Sequence, residues 1–230
     1  MALLSDEALT RLQQWRLMEL RWLMLIYEQR LKQNKRWGFR EGSMHFERDS
    51  AVHKSLERII KRLDELGIPY AVAGAMAMFF HGYERFTTDV DILVTPAGLK
   101  QVHQGLEGLG YLPPFEGSKH LRDTDSGVRI EFLTTGDYPG DGKPKPVAFP
   151  DPKEVSVEIE GISFLSLPSL VELKLASGMT NPGRLKDLGD VQEMIRVLKL
   201  PVDLADQLNP FVREKYKELW TAVRDNPTEP

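Results

Sequence analysis

The sequence predicts an α+β fold, a mixed sheet flanked by helices, with a helical extension ahead of it and a helical segment behind. Short apolar runs bounded by glycine and proline, at Pro69 to Ala73, Asp89 to Thr95 and Val128 to Thr134, alternate with segments of helical periodicity. Asp125-Ser126-Gly127 and Glu160-Gly161 are turn sequences that join strands as hairpins. From Pro168 onward only helical spacing remains. The resulting division is 1–48 for the N-terminal helical extension, 49–166 for the core and 167–230 for the C-terminal helical segment.

Taken in order, apolar positions from about Ser5 to Lys35 fall at helical spacing, with Ser5 as N-cap. The stretch Gln29 to Arg40 carries Arg30, Lys32, Lys35, Arg36 and Arg40 without an acid, the usual composition of a solvated helix end. Arg40-Glu41-Gly42-Ser43 can be encoded by a purine-rich ribosome-binding run, which makes Met44 an alternative start; an intact mass that includes residues 1–43 excludes it. A second helix is expected from Ser50 to Leu66, stopped by Gly67. Strand Pro69 to Ala73, helix Gly74 to His81, strand Asp89 to Thr95 and helix Pro96 to about Leu109 follow. Strands Lys119 to Asp123 and Val128 to Thr134 form one hairpin, and Val155 to Ile159 with Ile162 to Leu165 another. Between them, residues 135–152 hold three glycines and five prolines and should form a long irregular loop. Helices Ser169 to Ser177, Pro182 to Leu198 and Pro210 to about Arg224 complete the chain.

Composition excludes several function classes. Hydrophobic residues at 41% and charged residues at 28% allow a buried core, so wholesale disorder is not expected. A net charge of -4 gives no global attraction to phosphate polymers but leaves room for a local basic patch. Without cysteine there are no disulfides, thiolate metal sites or thiol nucleophiles, so any metal must sit on oxygen or histidine, and oxygen ligands favour Mg²⁺ or Mn²⁺. The apolar run Trp22 to Tyr27 is too short to span a bilayer, and a soluble, cytoplasmic protein is expected.

The chemistry concentrates in carboxylates. Asp89 and Asp91 stand at i and i+2 of a strand, so both leave the same face and repel unless a divalent cation lies between them; alternate strand residues are roughly 6 to 7 Å apart, a span that two oxygens can close on one ion. Glu131, between Ile130 and Phe132, points opposite to its apolar neighbours and supplies a third ligand. Three carboxylates holding two metals is an arrangement suited to in-line attack at phosphorus. Upstream, Tyr70-Ala71-Val72-Ala73-Gly74-Ala75 leads from strand into helix, where free N–H groups favour an anion such as a triphosphate, and Gly74 permits close approach.

These residues resemble the nucleotidyltransferases of the DNA polymerase beta superfamily, whose pattern is a small-residue turn, a helix, Asp-x-Asp and a later acid. Thirteen residues separate Ala75 from Asp89, and Arg85-Phe86-Thr87-Thr88-Asp89-Val90-Asp91 is similar to the superfamily's Arg-x-Thr-x-Asp-x-Asp. More narrowly, Lys174 on one helix, followed by Arg184, Lys186, Asp187 and Asp190 on the next, resembles the abortive-infection (AbiEii-type) toxin group. The resemblance covers about Val52 to Val197. It implies transfer of a nucleoside monophosphate from a nucleoside triphosphate to an acceptor hydroxyl, with Mg²⁺ or Mn²⁺ on Asp89, Asp91 and Glu131 and the nucleotide held by Gly74, Ala75, Arg85, Thr87, Lys174, Arg184 and Lys186. The acceptor it implies is transfer RNA, a protein side chain or a small molecule, and a cognate antitoxin is an implied partner. Ala75 stands where the turn usually has a second glycine or serine, which removes a hydroxyl contact to phosphate.

Several residues carry two readings. Lys174 either reaches nucleotide phosphates or pairs with Asp187 or Asp190 to hold two helices together. Arg184 and Lys186, in the first turn of their helix, call for an anionic ligand or a salt bridge to those aspartates. Arg85 contacts phosphate or anchors its loop, and His81 reads as a helix-end side chain. Lys143 and Lys145 in the long loop are candidates for a lid or an acceptor contact. The alternatives to a transferase are a non-catalytic nucleotide-binding or protein-interaction module on the same fold, and a phosphohydrolase using the same acids.

Overall fold

The computed structural model describes residues 26–226. Helix α1 (Tyr27–Gln33) ends at Asn34, and α2 (Lys35–Phe46) begins at once. The sequence reading made one helix through Lys35; its part before Ile26 lies outside the described residues. Asn34 breaks it by leaving helical φ and ψ and accepting the N–H of Trp37 on its side chain, as an N-cap does. Both helices are anchored inward: Tyr27 is fully buried and its hydroxyl donates to Glu41 at 3.1 Å.

Ser50 caps α3 (Ala51–Glu65), whose Val52, Leu56, Ile59, Ile60 and Leu63 form one buried face at helical spacing. Strand β1 (Tyr70–Ala73) is buried throughout, as its run of apolar residues requires. Helix α4 (Gly74–Phe80) follows without a loop, then β2 (Asp89–Val94) and α5 (Pro96–Leu106), the latter capped by Thr95. Strands β3 (Tyr111–Leu112), β4 (His120–Asp123) and β5 (Arg129–Thr134) come next, and after the long loop α6 (Pro152–Val155), β6 (Ser156–Ile159) and β7 (Ile162–Leu165). Helices α7 (Leu167–Thr180), α8 (Leu185–Val197) and α9 (Pro210–Asp225) pack on one another, with 3-10 turns at Pro182–Arg184 and Val202–Gln207.

The seven strands form one mixed sheet in the order β3-β4-β5-β2-β1-β7-β6. Both predicted hairpins are present, antiparallel between β4 and β5 and between β6 and β7. The pairing that builds the site is parallel: β2 lies beside β5 with Asp89 opposite Arg129 and Asp91 opposite Glu131. Among the described residues no helix is long and apolar enough to cross a membrane.

Two histidines are buried where α2, α3 and α4 meet. His45 bonds the carbonyl of Arg85 at 3.1 Å, and Ser50 Oγ lies 3.0 Å from His53 Nδ1. Burial, then the neighbouring His45 and Arg48 charges, push His53 down to about 4, and burial lowers His45 as well. Above pH about 6.5 His53 is neutral folded and unfolded; below it the unfolded chain takes up a proton that the folded chain refuses, so stability falls until about pH 4. Stability is expected to drop by up to about 3 kcal/mol across that window from His53 alone. Urea midpoints at pH 7 and pH 5 check this, and His53→Leu should flatten the slope.

Candidate active site

The ends of β1, β2 and β5 open into a cavity of about 720 Å³ whose opposite wall is α7 and the start of α8. Along β2, Asp89 and Asp91 face this cavity while Val90 and Ile92 are fully buried, the alternation a strand imposes. Because β2 and β5 run parallel in register, Glu131 joins the same face, and one carboxylate oxygen from each acid lies within 4.8 Å of the others.

The three acids sit in unlike environments. Burial, then the charges of Asp89 and Glu131, push Asp91 up to about 7. Burial also raises Asp89, but hydrogen bonds from Thr87 at 2.7 Å and Arg129 at 2.8 Å outweigh it and hold the carboxyl below its usual value. An all-oxygen cluster whose central acid resists ionisation for want of positive charge suits a hard divalent cation. The residues present therefore fit a divalent cation.

Arg129 is the site residue that the sequence reading missed. Its guanidinium lies 2.8 Å from Asp89 and 3.3 Å from Glu131, bridging two strands. The signal was its position two residues before Glu131, which fixes it on the same strand face. His120, opposite Glu131 across the hairpin, approaches it to 3.9 Å.

The fold itself requires glycine at position 74, apart from the close approach to an anion that the sequence predicts. Its φ is +60°, and a Cβ there would fall 1.8 Å from Oδ2 of Asp91. The turn between β1 and α4 thus packs its backbone on the acid itself. Ala75, also lining the cavity, is buried.

On the opposite wall Lys174 donates to Asp187 at 2.9 Å and to Asp190 at 2.7 Å, so the helix-pairing arrangement is formed. Ser177 donates to Asp187 at 2.6 Å, and Arg85 meets Asp190 at 3.0 Å, which fastens the segment before β2 to α8. Lys174 also lines the cavity, and its charge favours ionisation of Asp91. Lys174→Met should cost about 3 kcal/mol, because buried carboxylates lose their cation, and a denaturant titration measures it. Arg184 and Lys186 are exposed at the cavity edge, and among the described residues neither forms the salt bridge to Asp187 or Asp190 that the sequence allowed.

Other candidates lie elsewhere. His81 bonds the carbonyl of Leu165 at 2.7 Å, as a helix-end side chain. Lys145 is half-buried, pairs with Asp141 and reaches Thr180 Oγ1 at 3.1 Å, while the backbone N–H of Lys143 donates to Asp141; neither lysine lines the cavity. The loop they belong to is pinned to α7, since Asn181 donates to the carbonyl of Gly140 at 3.0 Å, and Pro139, Gly140 and Phe149 complete the cavity wall.

The sequence family described as "uncharacterised nucleotidyltransferase" matches residues 27–209, most of the chain. The chain belongs to this nucleotidyltransferase family. The match begins at Tyr27, so α1 and α2 are part of it, beyond the Val52 to Val197 stretch that carries the sequence resemblance. The AbiEii-type subgroup is finer than this match. No curated protein matches the chain. Among solved structures the nucleotidyltransferase is similar to ANT(2″)-Ia in complex with adenylyl-2″-tobramycin, at 14% identity over 75% of this chain and 96% of that one, TM-score 0.45. It is also similar to TM1012 from Thermotoga maritima, at 20% identity over 64% of this chain and 89% of that one, TM-score 0.39. JHP933 from Helicobacter pylori matches at 17% identity over 76% of this chain and 80% of that one, TM-score 0.42.

Proposed function

We propose that this nucleotidyltransferase is metal-dependent and moves a nucleoside monophosphate from a nucleoside triphosphate to an acceptor hydroxyl, using Asp89, Asp91 and Glu131. The observation that carries the reading is the convergence of three carboxylates from two parallel strands on one cavity, facing cationic side chains on α7 and α8. Magnesium or manganese held by the three acids supplies Lewis-acid neutralisation of phosphate charge.

The chain's own groups do the rest. Arg184 and Lys186, exposed and free of salt bridges among the described residues, attract the polyphosphate, with Lys174 behind them. Gly74 and Ala75 offer a close backbone surface, while Thr87 and Arg129 fix the Asp89 carboxylate. Glu131 accepts the proton of the acceptor hydroxyl. The hydroxyl oxygen then bonds to the α-phosphorus, the bond from that phosphorus to the oxygen bridging to the β-phosphate breaks, and pyrophosphate leaves. A growth-arresting toxin with a cognate antitoxin is the finer role, supported by the Lys174, Asp187 and Asp190 pattern.

The test is the fate of the two ends of the nucleotide. Equal yields of labelled acceptor and pyrophosphate, both abolished by EDTA, are the expected result. Release of inorganic phosphate without labelled acceptor would assign the acids to hydrolysis, and binding without turnover would assign the fold to a non-catalytic module.

A further inference from the structure

The basic run of α1 and α2, ordinary as sequence, takes a particular place in the fold. The two acids that flank it are both turned inward. Glu28 pairs with Arg122 at 3.0 Å, and Glu41 is buried, accepting from Tyr27 and from the N–H of Ala51 at 3.0 Å. Between them Lys32, Lys35, Arg36 and Arg40 are exposed, and among the described residues none forms a salt bridge, although the chain as a whole is acidic. Arg30 lies 4.2 Å over the ring of Trp37. In the midst of these cations Phe39 is 80% exposed, a large apolar ring kept in water on a helix that has a buried face available.

This surface adjoins the catalytic cavity. An apolar groove is lined by Leu31, Lys35, Gly38, Phe39, Gly42 and Phe86, and Phe86 also lines the cavity, immediately ahead of Thr87 and Asp89. Lys35, Phe39 and Gly42 recur at i, i+4 and i+7 along one side of α2, with Arg36 and Arg40 beside them. Uncompensated cations interleaved with an exposed ring are what an unpaired nucleic-acid strand needs: cations follow its phosphates and the ring stacks a base.

We propose that the α1–α2 surface binds a single-stranded RNA, and that this RNA presents the acceptor hydroxyl across Phe86 to Asp91 and Glu131. The proposal rests on the nucleotidyl-transfer reading and names its acceptor class. An acidic protein fits the cations but leaves Phe39 without a partner, whereas unpaired RNA bases are splayed out and stack on such rings. The group transferred is the same: an RNA hydroxyl loses its proton to Glu131, bonds to the α-phosphorus and expels pyrophosphate.

The test is fluorescence anisotropy of a labelled mixed-sequence oligoribonucleotide across a salt series, with the full chain, a Lys35→Ala, Arg36→Ala, Arg40→Ala triple variant, and Phe39→Ala. The triple variant should lose at least about 10-fold in affinity and about 2 from the slope of log affinity against log salt, since each single-strand phosphate contact contributes about 0.7. Phe39→Ala should lose roughly 10-fold with the slope unchanged, as stacking is not ionic. The proposal is overturned by no RNA binding, by affinity unchanged in these variants, or by equal or tighter binding of the matching oligodeoxyribonucleotide or of polyglutamate. Calorimetry of Mg²⁺ and nucleoside triphosphate on the same proteins separates the two readings: nucleotide bound normally but RNA ignored defeats only this inference, whereas no nucleotide binding at all defeats the reading beneath it.

Discussion

Asp91→Asn is expected to lower nucleotidyl transfer by about 10³-fold or more and, in EDTA at pH 8, to raise the melting temperature. The two effects have one cause. Asp91 sits among Asp89, Glu131 and low-dielectric surroundings, so its carboxyl holds a proton up to about pH 7 in the fold, against an ordinary carboxylate value of 3.8. Without metal, the unfolded chain ionises first as pH rises, and stability falls between about pH 4 and 7 by up to about 4 kcal/mol. An amide cannot ionise, which removes that cost, and under the proposed function it also removes a charge that would hold a cation opposite phosphate. Thermal scans with and without Mg²⁺ provide the check: Mg²⁺ should stabilise the parent chain and leave the variant nearly unmoved. A variant that is less stable than its parent in EDTA and still turns over would contradict the placement of Asp91.

Gly74→Ala should be the most damaging change of a single methyl group. A left-handed residue with a Cβ costs about 1–2 kcal/mol, and here the Cβ would also lie 1.8 Å from the Asp91 oxygen. The carboxylate must move, so we expect roughly a 10²-fold loss of kcat, as for other misplacements near 1 Å, with about 2 kcal/mol of stability lost. Gly142→Ala is the control. Gly142 shares the positive φ but has nothing within 4 Å of its would-be Cβ, so it should show the backbone strain and keep its activity. Denaturant midpoints and transfer kinetics on both variants separate strain from displacement.

What could be read from the sequence was what depends on near neighbours. Alternation placed Asp89, Asp91 and Glu131 on strand faces, Asp125-Ser126-Gly127 marked the β4–β5 hairpin, and Ser50 marked the start of α3. What could not be read depends on residues distant in sequence. The parallel β2–β5 pairing joins segments separated by a helix and a hairpin, and only that register brings Arg129 beside Asp89. The two-residue β3 is too short for any periodicity, and the break at Asn34 rests on one side-chain cap within an otherwise helical pattern. The 135–152 loop is irregular as its glycines and prolines predict, yet its attachment to α7 through Gly140 and Asn181 follows from tertiary contact. Phe39 and the cations around it gave no sign in the sequence that their flanking acids turn inward.

The most direct measurement is an incubation of the purified chain with each α-labelled nucleoside triphosphate, Mg²⁺ or Mn²⁺, and a desalted bacterial lysate, beside an Asp89→Asn, Asp91→Asn double variant. Label transferred to an acceptor by the parent chain alone is the predicted result. Label transferred equally by the double variant would contradict the account, because the three carboxylates would then not be the site of transfer.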